Sequence, residues 1–491
     1  MEFFFKPQSI IIFGASSKEG KSGYYLLKNI LKYNPKRLIL IHPVEENIFG
    51  IKCYKNITEI PNELIYGIDL AIVSVPAQFV TEIVLKCIEI CVKGILIQSG
   101  NIGLNEFEIS ENKKRILDAL KKAKLLKNQT IRIMGPNSLG IFNNLGLDEN
   151  NDYSNFFTGI MDFKFQPPFN KEGKNLTIVA QTGLLLSGYY IDFFEKQDIC
   201  ISKIIALGNK LDINESDVLE FLINDSNTKT ITFYLENIKE GRRFFNLCKK
   251  AIFEFNKTII LLTSGKSELG KKAITSHTES IANNSLMIEA LCKQLGIIQV
   301  SDFSELILAS KFATHMPLPQ GNRLGLISIS GAGCVLLSDF AEEFNFKVPQ
   351  LNEKIKRRLK NIFPEWAEIN NPLDLWASIE QIGSKAYDIA LETFLESNKF
   401  DIIIFCSIAE RRAQLNYSYL KDLSKKFSRI PIILQIFGGS EEIKKELSKQ
   451  FENPNNDNYI PIVYNLRQLF IILFKIYNSL ALRYKISKSF I

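Results

Sequence analysis

Histidine is scarce in this chain of 491 residues: only His42, His277 and His315 occur. None has a second His or Cys nearby at ligand spacing, so a metal site finds no support. Cysteine is sparse too, and no Cys-x-x-Cys pair occurs among Cys53, Cys87, Cys91, Cys200, Cys248, Cys292, Cys334 and Cys406. They read as reduced, mostly core residues of a cytoplasmic protein. An excess of one charge is also lacking, since 60 Lys and Arg oppose 53 Asp and Glu for a net +7. The clusters Lys113-Lys114-Arg115 and Lys356-Arg357-Arg358 lie in amphipathic helical patterns, and without a sustained basic stripe there is no nucleic-acid footprint. Long apolar runs are missing as well. The stretch Leu324 to Ser338 is broken by Ser328, Ser330, Gly331 and Gly333, and the run near Leu469 stops at Lys475, so neither would cross a bilayer. Met1 to Pro7 lacks a basic leader, and no targeting segment is expected.

What is present is ample apolar material, 46% hydrophobic against 23% charged residues. The length exceeds one core and suggests about three domains at roughly 150 residues each. Short β-branched runs alternate with amphipathic segments, the pattern of parallel sheets covered by helices. The first strands read Ser9 to Phe13, Arg37 to Ile41, Leu70 to Val75, Gly94 to Ile97 and Ile131 to Met134. A loop-rich bridge follows over Asn150 to Asn155 and Gln166 to Asn170. Strands resume at Leu176 to Ala180, Ser202 to Ala206, Thr230 to Leu235 and Thr258 to Thr263. Prolines and a glycine in Met316-Pro317-Leu318-Pro319-Gln320-Gly321 mark a second boundary. Beyond it come Leu324 to Ile329, Asp401 to Cys406, Pro431 to Ile436 and Tyr459 to Val463. The expected units are residues 1–150, 151–316 and 321–491.

The first strand runs into Gly14-Ala15-Ser16-Ser17-Lys18-Glu19-Gly20-Lys21-Ser22-Gly23 and a helix. Such a turn offers backbone N–H groups and a positive helix end to phosphate. It has one residue too many for a Walker loop, and Ser16 replaces the second glycine of the dinucleotide fingerprint. Small-residue turns also close the later strands, at Val75-Pro76, at Ser99-Gly100-Asn101 and at Gly135-Pro136-Asn137-Ser138-Leu139-Gly140. Ligands of open α/β sheets bind at this carboxyl edge. His42 could line that site or be structural, while His315 at the second boundary reads as incidental.

In the second unit His277 stands in the polar context Ser276-His277-Thr278-Glu279-Ser280. From the residues alone it is as readily a surface histidine as a nucleophile, though neutral imidazole can accept a phosphoryl group. The turns Gln181-Thr182-Gly183 and Gly208-Asn209-Lys210 each precede a helix and could present N–H donors to an anion. Glu236 ends a strand, where a carboxylate could orient an imidazole; taken alone it is a solvated loop charge.

In this order the motifs resemble the α subunit of the NDP-forming acyl-CoA synthetases, the family of succinyl-CoA synthetase and ADP-forming acetate–CoA ligase, over essentially the whole chain. The matching stretches are Gly14-Ala15-Ser16 with Gly20-Lys21-Ser22-Gly23, Ile48 to Tyr54, Val75-Pro76 and Gly135 to Gly140. They continue with Gly208-Asn209-Lys210-x-Asp212, Glu215 to Leu222, Tyr234-Leu235-Glu236, Gly241-Arg242 and Ser276-His277-Thr278, then Ser330-Gly331-Ala332-Gly333 and Asn371-Pro372-Leu373-Asp374. The resemblance implies a Rossmann-like CoA-binding domain followed by two flavodoxin-like domains of the succinyl-CoA synthetase type. It implies coenzyme A at Gly14, Ser16, Gly20, Lys21, Gly23, Val75, Pro76 and Asn137, a phosphorylated His277 contacted by Glu236, and phosphate at Thr182, Gly183, Gly208 and Asn209.

The implied reaction interconverts acyl-CoA, ADP and phosphate with a small carboxylic acid, CoA and ATP. None of the three units reads as an ATP-grasp domain, so ADP/ATP and Mg2+ are expected on a partner β subunit in an α2β2 heterotetramer, with no nucleic acid or membrane partner. The chain departs from the family at Glu279 and Asn283, where glycines are usual, at Thr263 in place of lysine and at Gly100-Asn101-Ile102. Glu279 adds negative charge beside a group that must become a dianion. The alternative expectation is a non-catalytic CoA-binding or regulatory subunit with a degenerate histidine loop.

Overall fold

Runs of isoleucine, leucine and valine build the first sheet. Its strands are β1 (Ser9–Phe13), β2 (Arg37–Ile41), β3 (Asn47–Ile48), β4 (Ile51–Tyr54), β5 (Leu70–Val73), β6 (Gly94–Ile97) and β7 (Arg132–Met134). Every residue of β1, β5 and β6 is buried, as in a parallel strand covered on both faces. The computed structural model describes residues 1–127, 129–147, 153–162, 167–185, 188, 195–278, 284–411, 417–454 and 459–489, without the side chains of 127, 147, 153, 274–278, 417 and 489. Two compact units result: Met1–Lys196, Ile201–Ile259 and Thr263–Ile288 in one, and Gln197–Cys200, Ile260–Leu262 and Glu289–Ile491 in the other.

In the first unit the first sheet has the order β3-β4-β2-β1-β5-β6-β7. All its pairs are parallel except the β3–β4 hairpin. The chain leaves β1 toward β2 on one side and returns to β5 on the other, which opens a crevice at the carboxyl ends of β1 and β5. The helices Ser22–Tyr33, Ala77–Glu89 and Glu106–Lys127 complete this sheet's layers. Pro76 stands at the N-cap of Ala77–Glu89, where its missing N–H costs nothing.

The second sheet contributes β8 (Ile141–Leu147), β9 (Tyr153–Phe157), β10 (Asn175–Ala180), β11 (Ile201–Ala206) and β12 (Thr228–Leu235), ordered β12-β10-β11-β8-β9. Here β10 is parallel to both neighbours, whereas β8 runs antiparallel to β11 and pairs with β9. The second sheet therefore begins at Ile141, before the boundary expected near residue 150. The expected bridge over Asn150 to Asn155 lies partly outside the described residues, and its last residues enter β9. Polar residues disguise β8, because Asn143 donates to the Phe5 carbonyl at 2.8 Å and Asn144 to that of Pro167 at 3.1 Å. Buried amides satisfied this way are tolerated inside a strand. The helix Glu215–Ile223 starts in a capping box, with Asn214 accepting from Ser216 N and Asp217 accepting from Asn214 N.

In the second unit, residues Ile260–Leu262 of β13 (Thr258–Thr263) pair in parallel with β14 (Ile298–Val300). The third sheet consists of β15 (Leu324–Ser328), β16 (Leu373–Asp374), β17 (Ile402–Ala409), β18 (Ile432–Gly439) and β19 (Ile462–Val463). Its order is β16-β15-β17-β18-β19, parallel throughout, over a core containing Ile327, Tyr387, Phe394 and Phe405. The strand expected from Tyr459 begins only at Ile462, since Pro461 has no N–H for a ladder. Nor is His315 incidental: its Nε2 accepts from Cys200 N at 3.0 Å and its ring packs on Tyr459 at 4.9 Å. The α/β architecture with parallel sheets is the one expected.

Candidate functional site

The crevice between the carboxyl ends of β1 and β5 holds a cavity of about 860 Å³, within the range of small-molecule sites. Gly14, Ser16, Lys21, Gly23, Val75 and Pro76 all line it, as do Ile41, His42, Ile57, Phe79, Gln98 and Ser99. Gly20 and Asn137, expected at the same site, are not among its lining residues. Gly14 is required there on two counts: its φ is +95°, and a Cβ would stand 2.0 Å from the Ser74 carbonyl oxygen. A Cβ on Gly23 would in turn meet the Gly14 carbonyl oxygen at 2.0 Å, so the start of the helix Ser22–Tyr33 is drawn directly against the turn.

Ser99 fixes the opposite wall by accepting from Val75 N at 3.1 Å and donating to Val75 O at 2.6 Å. His42 is both lining and structural: its Nδ1 accepts from Val44 N at 3.2 Å and Glu45 N at 2.8 Å, which places the proton of the neutral ring on Nε2. The lining includes three lysines, Lys21, Lys55 and Lys86, and one carboxylate, Glu82, which is paired with Arg115 at 2.7 Å. Three ammonium groups, a helix start and an apolar floor of Ile41, Ile57, Val75 and Ile83 suit a ligand with several phosphates and an apolar arm.

A second constellation lies at the carboxyl edge of the second sheet. The turn Gly135 to Gly140 leaves β7 and meets the turn after β11, where Asn209 N donates to Pro136 O at 2.8 Å and Leu211 N to Gly135 O at 2.9 Å. Gly208 has φ +62°, and a Cβ there would lie 2.1 Å from the Pro136 carbonyl oxygen. Gly183 packs under Leu139 on the same turn, its notional Cβ 2.5 Å from Leu139 Cδ1. Asn137, exposed and at φ +60°, belongs to this junction through its N–H, which donates to Ser99 O at 2.8 Å. Arg132 of β7 clamps the junction by bonding Asp212 at 2.9 Å and Asp217 at 3.1 Å, and these two carboxylates hold its pKa up against burial.

Glu236 is only 7% exposed at the end of β12, so it is not the solvated charge it resembles in isolation. Its N–H donates to the Gln181 Oε1 at 3.1 Å, which ties it to Thr182 and Gly183. Lys210, fully buried at φ +55°, donates to Glu215 Oε2 at 2.9 Å and to Asn237 O at 2.7 Å. The other Glu215 oxygen accepts from Lys239 N at 2.7 Å, and Lys239 Nζ donates to Lys210 O. Burial pulls the Lys210 pKa down while Glu215, and then Glu236, pull it up. Gln181 and Lys210 are thus site residues whose roles the sequence concealed.

His277 lies in the helix Glu268–Thr278 by its backbone; its side chain, Glu279 and Asn283 lie outside the described residues. Among the described residues no group of His, Cys, Asp and Glu is arranged to hold a metal ion, and no helix is long and apolar enough to cross a membrane.

Two family models match the chain: a CoA binding domain over residues 8–144 and a succinyl-CoA ligase like flavodoxin domain over residues 173–313. Acetate–CoA ligase [ADP-forming] II of Archaeoglobus fulgidus is 33% identical over 96% of this chain, which spans 66% of that protein's length. The α subunit of acetate–CoA ligase [ADP-forming] II of Pyrococcus furiosus is 30% identical over 93% of this chain and 95% of its own. The solved dinucleotide-forming acetyl-coenzyme A synthetase 1 of Ca. Korarchaeum cryptofilum, in complex with phosphate and ADP, has the same fold with a TM-score of 0.77. Its identity is 23%, covering 100% of this chain and 99% of that one.

Proposed function

The chain belongs to the family of the ADP-forming acetate–CoA ligases, and on that premise we propose that it is the acyl- and phosphoryl-handling half of such an enzyme. The observation that carries this reading is the gathering of Thr182-Gly183, Gly208-Asn209 and the buried Glu236 at one sheet edge in the same unit as the β1–β5 cavity. Coenzyme A occupies that cavity, with Lys21, Lys55 and Lys86 facing its phosphates. Inorganic phosphate attacks the thioester carbonyl, the C–S bond breaks, and the thiolate leaves with a proton from solvent. The resulting acyl phosphate passes its phosphoryl group to His277, releasing the carboxylate, and the phosphohistidine then hands it to ADP. Glu236 orients the imidazole, while the N–H groups of Thr182, Gly183 and Gly208 stabilise charge on the transferring group and Asn209, whose N–H is given to Pro136 O, holds the second turn in place. Phosphohistidine chemistry of this kind uses positioned donors rather than strong net charge, in keeping with the mild +7 of the chain.

The nucleotide is assigned to a partner chain with an ATP-grasp domain, with which this chain forms an α2β2 heterotetramer; the Pyrococcus relative's designation as an α subunit supports a partner. Purified alone, the chain is expected to take a phosphoryl group from acetyl phosphate but to form no ATP from ADP until partner is added. Full ADP-dependent activity without partner would refute the division of labour. The cavity gives a second expectation. Gly14→Ala forces a strained backbone and a 2.0 Å contact with Ser74 O, so CoA affinity measured by calorimetry falls on the order of tenfold or more. An unchanged affinity would move CoA away from this cavity.

A further inference from the structure

Gln181 directly follows β10, where the second sheet reverses its strand order, with β11 on one side and β12 on the other. It is 6% exposed. Two backbone N–H groups, from Glu236 at 3.1 Å and Asn237 at 3.4 Å, converge on one atom of its carboxamide. Only oxygen accepts, so the orientation of the amide is fixed by its neighbours. The nitrogen Nε2 is left buried with two hydrogens and no acceptor among the described residues. Buried donors of this kind are rare in native proteins because nothing replaces the water they lose. The next residues in the chain are Thr182 and Gly183, and the neighbouring cation, Lys210, is already held by Glu215 and Asn237 O. The edge thus carries a vacant donor beside the two turns, together with one buried acceptor, Asn237 Oδ1, also without a partner among the described residues, and what Gln181 Nε2 itself lacks is an acceptor.

We propose that Gln181 Nε2 donates to a phosphoryl oxygen bound at this edge, and that the same carboxamide, by holding the Glu236 N–H, registers Glu236 against the bound phosphoryl group. Gln181 is then a binding and positioning residue, an inference that rests on the phosphoryl-transfer reading. The oxygen can belong to inorganic phosphate or to a phosphorylated His277, and the two are separable by experiment.

Gln181→Glu keeps an oxygen for both backbone N–H groups and replaces the donor with a second acceptor. With the full chain, inorganic phosphate titrated into the His277→Ala background, followed by calorimetry, reports the free anion alone. In that background Gln181→Glu is expected to weaken phosphate binding at least tenfold, with CoA affinity and melting temperature unchanged. With His277 present, it is expected to slow phosphorylation by acetyl phosphate by a similar factor. If Gln181→Glu melts early, Gln181→Met, which is similar in volume and has no donor, provides the same readouts. Unchanged phosphate affinity and unchanged phosphorylation overturn the role of Gln181. A wild-type chain that binds phosphate in a Gln181-dependent way but never acquires a phosphoryl group overturns the phosphoryl-transfer reading and leaves the anion site standing.

Discussion

His277→Ala is expected to reduce turnover of the chain reconstituted with the proposed ATP-grasp partner by on the order of 10^4-fold or more, because removing the proposed nucleophile removes the covalent route itself. CoA affinity should stay at the wild-type value, since every residue lining the β1–β5 cavity precedes Gly100. The split between lost turnover and intact binding separates a nucleophile from a folding residue. Glu236→Gln should act more weakly, because an amide still occupies the strand end but no longer stabilises a charged imidazole. Wild-type turnover by His277→Ala would instead identify a non-catalytic CoA-binding subunit, the reading that Glu279 and Asn283 raise from sequence.

The second large effect belongs to Lys210→Ala. Both Lys210 and Glu215 are fully buried, and deleting one partner of a buried pair leaves the other charge without compensation, at a cost of about 3–5 kcal/mol. The melting temperature should fall by about 6–20 °C at the usual sensitivity of a domain of this size. The loss is concentrated where it matters chemically, because Lys210 also holds Asn237 O and Glu215 holds Lys239 N. These bonds anchor the segment that follows Glu236. Lys210→Met combined with Glu215→Leu should recover part of the stability, as apolar replacements of buried pairs do, without restoring the anchoring of Asn237 and Lys239. A Lys210→Ala protein that melts within a degree of wild type would show that the pair is not the anchor.

Much of the fold could be read from residue pattern alone, and the exceptions have physical causes. Strands such as β1 and β6 are uninterrupted apolar runs because helices cover both faces, and such runs announce themselves. In contrast, β8 carries Asn143 and Asn144, whose amides are satisfied by carbonyls of Phe5 and Pro167, partners far away in sequence. The strands β14 and β16 span three and two residues, too short for any periodicity to appear. The candidate site shows the same divide. Glycine turns were visible because backbone geometry restricts residue choice locally, and Gly14 and Gly208 confirm that restriction with positive φ and notional Cβ clashes. The roles of Gln181 and Lys210 were hidden because they depend on Glu236 N, Asn237 and Glu215 arriving from other segments. A lysine in a Gly-Asn-Lys turn reads as exposed until the helix Glu215–Ile223 closes over it.

The proposed function requires that this chain carry its phosphoryl group covalently on His277. The decisive measurement is intact-mass analysis of the full chain after incubation with acetyl-CoA and phosphate, paired with acid lability and site mapping. A gain of one acid-labile phosphoryl group is expected, located on His277 and absent from His277→Ala. An unmodified chain under the same conditions, with CoA binding demonstrably intact, would contradict the proposed function.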